Sequence, residues 1–100
     1  IITMENRFDI SAFVNVLTVQ TAMENLALRF RKRRKEKKLS QKRIARQSGV
    51  SYASVRRFES SGQISLHSLM ELARVLGCLE DFNELFKTPV ISDLKDYDDD

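Results

Sequence analysis

The side chains with the most to offer chemically in this 100-residue chain are cations, and they crowd its middle. Residues 29–57 hold thirteen lysines and arginines against one acid, Glu36, whereas residues 58–100 hold three basic groups against ten acidic ones. The net charge of +3 conceals this asymmetry. A block so basic creates a local potential suited to a polyanion. A solvated surface helix usually interleaves acids at i+4 to relieve repulsion, and here only Glu36 is available to do so. Inside the block lies QKRIARQSGVSYASVRRFES, residues 41–60, which ends its second half with an adjacent arginine pair, Arg56 and Arg57. A guanidinium fork in the right place can engage O6 and N7 of a guanine together, so the pair raises the question of base reading.

Other chemistries find little support. One cysteine, Cys78, allows no intramolecular disulfide, and with a single histidine, His67, it makes too small a set for structural zinc. No Ser-His-Asp set, phosphate-cradling glycine loop or paired metal ligands argue for an enzyme, and no cofactor is expected. Apolar runs are only a few residues long, far short of the roughly 20 that cross a bilayer, so a cytoplasmic protein without membrane contact is expected. Three glycines, one proline and 42% hydrophobic residues favour one helical domain with a modest core.

These cations need helices to position them. Residues 1–20 include a β-branched and aromatic stretch that predicts an N-terminal arm or short strand, with Phe13, Val14 and Val16 within it. The capping-box pattern Thr21-Ala-Met-Glu24, with Thr18 as a competing start, predicts a helix running to about Lys38. Met23, Leu26, Ala27 and Phe30 face its core side, and the basic run 31–38 suits its carboxyl end. Ser40, Ser51 and Ser65 are N-caps for helices over about 41–48, 52–60 and 66–76, with Gly49 and Gly77 as stops and a loop at Ser61-Gly62-Gln63. Inward residues are Ile44 and Ala45, then Val55 and Phe58, then Leu66, Leu69, Leu72, Ala73 and Leu76. A fifth helix is expected over about 80–87, presenting Phe82, Leu85 and Phe86. Residues 88–100 form an acidic tail, expected to be mobile at its end.

Counting Gln41 as one, a small residue stands at five (Ala45), glycine at nine (Gly49), and apolar residues at four, ten, fifteen and eighteen (Ile44, Val50, Val55, Phe58). This is helix-turn-helix spacing: the small residue lets two helices approach, the glycine allows the sharp turn, and the apolar positions fuse both helices to one core. With the wider string LSQ(x2)IA(x3)GVS(x3)V(x2)FE(x5)SL(x2)LM(x2)A(x2)LG, the chain resembles the Cro and phage-repressor type of helix-turn-helix domain, the Xre family, over about residues 21–87. The resemblance implies an all-α, lambda-repressor-like five-helix domain that binds double-stranded DNA, its third helix in the major groove and its second across the backbone. Tyr52, Ala53, Arg56 and Arg57 then take positions that meet bases or nearby phosphates, although Ala53 offers no hydrogen bond. Gln41 takes a phosphate-contacting position and is placed to brace a recognition side chain. Ser51, Ser54 and Ser60 are short donors suited to phosphates, while Lys38, Lys42, Arg43 and Arg46 supply nonspecific attraction. Arg33 departs from the family's apolar preference and is expected to pair with Glu36 or Glu59; Glu59 itself is expected to be structural.

A narrower resemblance lies in RRFESSGQISLHSLMELARVLGCLEDFNELF, residues 56–86, which is similar to HipB-like antitoxins. It implies an autorepressor that also binds a HipA-type kinase toxin. Because one such domain covers a half-site, a homodimer is expected, with Phe13, Val14, Val16, Phe82 and Phe86 as candidate contacts. The competing reading is a protein-interaction module that holds a kinase or other partner and uses its basic block only for steering.

Overall fold

Three serine caps and three glycine stops set the element boundaries. A computed structural model of the chain describes residues 16–91. Four α-helices, α1 (Val19–Glu36), α2 (Gln41–Ser48), α3 (Tyr52–Ser61) and α4 (Leu66–Leu76), precede a short 3-10 helix, Leu79–Asn83. The described residues contain no strand, and the all-α class holds. Most of the expected N-terminal arm, with Phe13 and Val14, and the tail beyond Ile91 lie outside the described residues, while Val16 is exposed in the irregular approach to α1.

The caps of α2, α3 and α4 follow one design. Ser40, Ser51 and Ser65 each accept a hydrogen bond from the backbone N–H three residues on, at 3.0, 3.0 and 3.1 Å. Such a cap contributes about 1 kcal/mol. Gly49, Gly62 and Gly77 end the same helices in the left-handed region. Gly62 is further constrained, because a Cβ there would stand 2.9 Å from the Met23 carbonyl carbon of α1.

α1 starts one turn earlier than the Thr21 box predicts. Thr18 is the N-cap: its hydroxyl accepts from the Thr21 N–H at 3.0 Å, and the Thr21 hydroxyl accepts from the Thr18 N–H at 2.9 Å. Thr21 thus performs the reach-back expected of Glu24, whose carboxylate instead accepts from Gln20 Nε2 at 2.8 Å. The helix also stops short of Lys38. Lys38 takes φ 60°, and the Lys38 and Leu39 N–H groups return to the carbonyls of Lys35 and Arg34, a Schellman closure with lysine where glycine is usual.

Phe58, Ile44, Leu72 and Val55 are the largest fully buried side chains, so the core joins α2, α3 and α4; α1 enters it through Ala27 and Phe30. The Phe30 and Phe58 rings meet with centroids 5.2 Å apart and planes tilted by 56°. Of the apolar face expected for α4, Leu66 is 63% exposed, since it lies at the edge of the stripe in the first turn. The fifth element is shorter and tighter than an α-helix over 80–87. Cys78 gives it no side-chain cap, its N–H groups bond back three residues, and Phe86 at φ 67° ends the turns that follow.

Candidate nucleic-acid interface

The turn between α2 and α3 is tied from within. Buried Ser48 accepts from the Val50 N–H at 3.1 Å and donates to the Ala45 carbonyl at 3.3 Å, while Gly49 reverses the chain at φ 79°. Val55 and Phe58 then pin the inner face of α3 with no exposure at all. The consequence is a fixed outer face: Tyr52, Ala53, Arg56, Arg57 and Ser60 are all exposed. Lys42, Arg43 and Arg46 are exposed on neighbouring α2, and Lys38 in the loop before it.

An open groove of about 870 Å³ gathers Arg31, Gln41, Ala53, Arg56, Arg57 and Ser60. Both arginines of the pair border it, yet their partners differ. Arg56 carries its guanidinium over the Tyr52 ring, 5.5 Å from the centroid, and Lys42 Nζ lies over the same ring at 5.5 Å. Tyr52 therefore holds two cations, one from each helix of the motif, and this stacking is worth about 0.5–1 kcal/mol at an exposed site. Arg57 instead donates to Gln63 Oε1 at 2.7 Å, toward the far end of α3. The serines divide similarly. Ser51 is committed to capping and to Ser54 Oγ at 2.8 Å, leaving the Ser54 proton free, whereas Ser60 turns back to the Arg57 carbonyl at 3.2 Å.

Behind this surface sits a buried clamp that the basic count alone obscures. Arg34 is 6% exposed and grips Glu59 of α3 with two bonds, Nε at 2.7 Å and Nη2 at 3.0 Å; its Nη1 donates to the Leu39 carbonyl at 2.8 Å. Gln41 Nε2 adds a third donor to the Glu59 carboxylate at 2.9 Å. One carboxylate of α3 thus joins the end of α1 and the start of α2 to that helix. Glu59 is structural as expected, but its partner is Arg34; Arg33 pairs with Glu36 at 3.7 Å on the surface. The signal was present in the sequence, since Arg34 continues the stripe Met23, Ala27, Phe30 at helical spacing. A basic residue on an apolar stripe calls for a buried acid, and Arg34 is thereby unavailable to a polyanion.

Gln41 is thus held by Glu59 through its amide nitrogen, and it borders the groove together with Ser40 and Ala53. Among the described residues no three His, Cys, Asp or Glu side chains converge as a metal site, and no helix is long and apolar enough to cross a membrane. What the arrangement offers is a cationic, donor-rich ridge on a rigid helix.

Comparison with known proteins agrees with this geometry. A family model described as Helix-turn-helix matches residues 30–82, which takes in the last two turns of α1, the whole motif, α4 and most of the 3-10 helix. Neither the curated proteins nor the solved structures yield a match. Since the matched span exceeds half of the chain and coincides with the packed helices, the chain belongs to the Cro/C1-type helix-turn-helix family of DNA-binding transcription regulators.

Proposed function

We propose that the chain is a sequence-specific, dimeric repressor that presents α3 to the major groove and α2 to the adjacent backbone. The observation that carries this reading is the outer face of α3, where Arg56 and Arg57 project beside a basic α2 while Val55 and Phe58 fix the helix rotation. Arg57, braced by Gln63, and Arg56, stacked on Tyr52, are the base readers. Ala53 leaves room for the groove floor, and Tyr52 offers its exposed edge to a thymine methyl. Phosphates are met by Gln41, Ser54, Lys38, Lys42, Arg43 and Arg46, with Ser51 and Ser60 serving mainly their own helix ends. Phe86, 94% exposed, together with Val16, supports a second copy's approach, whereas Phe82 is half-buried and lines a groove.

Selection of bound duplexes from a random pool tests this reading. The expected product is a two-fold symmetric site whose half-sites lie about 34 Å apart. A pool that retains random sequence after repeated rounds contradicts it. The narrower antitoxin role rests on the resemblance of residues 56–86 to HipB-like proteins; its test is co-purification with a kinase encoded by the adjoining gene, and its failure leaves the DNA-reading proposal standing.

A further inference from the structure

The groove at α3 takes in one exposed cation from outside the helix-turn-helix motif, Arg31 of α1. The arginines of α1 divide between two faces of that helix. Arg29 and Arg33, four apart, border a separate groove of about 420 Å³ against α4, whereas Arg31 and Arg34, three apart, border the α3 groove. Arg34 is spent inside the fold on Glu59. Arg31 is not: its side chain is 54% exposed, and its Nε stands 3.9 Å from Glu59 Oε1, near enough for attraction and too far for a hydrogen bond. The gap has a cause in Glu59 itself. Its Oε1 already accepts from Arg34 Nη2 at 3.0 Å and from Gln41 Nε2 at 2.9 Å, which fills both lone pairs of that oxygen. The buried carboxylate therefore draws Arg31 toward the groove without taking up its fork of N–H donors.

We infer that Arg31 holds a DNA phosphate, which makes α1 a third helix of the interface; the inference rests on the DNA-binding reading above. Arg31 shares its groove with Gln41 at the start of α2 and with Arg56 and Arg57 on α3, so an anion seated there meets donors from three helices. The acid in the same groove, Glu59, has only 6% of its side chain exposed and is neutralised by Arg34, so it sets little repulsion against a phosphate. A guanidinium fork matches two phosphate oxygens at once. Phosphate carries no sequence information, so Arg31 contributes affinity and the docking angle of α3, and not base preference. Glu59 thereby acquires a second role: through its pull on Arg31 it sets where the phosphate clamp stands relative to Arg56 and Arg57.

The test combines salt titration with phosphate-ethylation interference on the selected duplex, using the full chain. Arg31→Ala is expected to weaken selected and random duplexes alike. Its loss of affinity between about 0.05 and 0.2 M salt is expected to be roughly 3.5-fold smaller than that of the native chain, the signature of one phosphate contact fewer. Ethylation at one phosphate per half-site is expected to block the native chain and to leave Arg31→Ala indifferent, with the rest of the pattern retained. Arg31→Lys, which keeps the charge and loses the fork, is expected to restore the salt slope. Arg29→Ala, on the other face of α1, is expected to keep both the native slope and the native pattern. The melting curve of Arg31→Ala is expected to follow that of the native chain, because the hydrogen bonds to Glu59 come from Arg34 and Gln41. An unaltered slope and ethylation pattern in Arg31→Ala overturn the inference. So does an equal change in Arg29→Ala, which reduces Arg31 to one charge in a diffuse field. Neither result touches site selection, and a native chain that grips every duplex equally fails the sequence-reading proposal alone, since the slopes of Arg31→Ala and Arg29→Ala still decide this one.

Discussion

Two arginine sites in this molecule lie within one helix packing of each other and have opposite fates. Arg34 is buried, doubly bonded to Glu59 and further tied to the Leu39 carbonyl; Arg56 and Arg57 stand in the open on α3 with one neutral partner each. The buried site spends its charge inside the fold, where it fixes how α3 is held. The exposed pair keeps its charge for an outside anion. The comparison teaches that a basic count does not measure a binding surface: position relative to the apolar stripe decides which cations are structural.

The largest expected effect lies at the buried site. Glu59→Ala leaves Arg34 buried without its partner and is expected to cost about 3–5 kcal/mol, read as a lowered midpoint in urea. The double replacement Arg34→Met, Glu59→Leu is expected to recover most of that loss. If it does not, the clamp supplies more than paired charge. Next comes the stop of α3. Gly62→Ala combines a left-handed penalty with overpacking against the Met23 backbone, for roughly 2–5 kcal/mol, whereas Gly49→Ala, with open space around it, is expected to show only the conformational part of about 1–2 kcal/mol. Thermal melts of the two variants side by side check the ranking.

At the exposed site the losses move from stability to binding. Arg56→Ala and Arg57→Ala are each expected to leave the melting curve nearly unchanged and to cost ~1–3 kcal/mol on the selected duplex, relaxing preference at one base position. An equal loss on random DNA removes that residue from base reading. The smallest effects belong to α2: Lys42→Ala or Arg46→Ala is expected to weaken all duplexes uniformly and to make the salt slope shallower by about one. Fluorescence anisotropy at several salt concentrations separates the two patterns.

How much of this was legible in the sequence follows from where the signals are local. Ser40, Ser51, Ser65, Gly49 and Gly77 each specify a boundary through their own backbone and hydroxyl chemistry, and α2 to α4 stand as those residues predict, within one residue. The start of α1 was ambiguous because Thr18 and Thr21 are both competent caps, and a threonine hydroxyl did the work reserved for Glu24. The expected fifth helix failed for lack of a cap and of length, so only a 3-10 turn formed. In the candidate site, the outward placement of Arg56 and Arg57 follows from the inward anchors Val55 and Phe58. The Tyr52 stacking and the Arg57–Gln63 bond join residues whose meeting depends on side-chain direction, which spacing does not encode. Arg34 was readable in principle through the stripe it extends, yet its partner is 25 residues away on another helix.

The central claim is that α3 reads sequence, and a titration of the native chain states it most directly. Binding is measured by anisotropy on the duplex recovered by selection and on a scrambled duplex of the same composition, at matched physiological salt. The selected duplex is expected to bind at least ~10³-fold more tightly. Equal affinity for the two, varying only with salt, would show a chain that grips DNA through its cations and reads nothing.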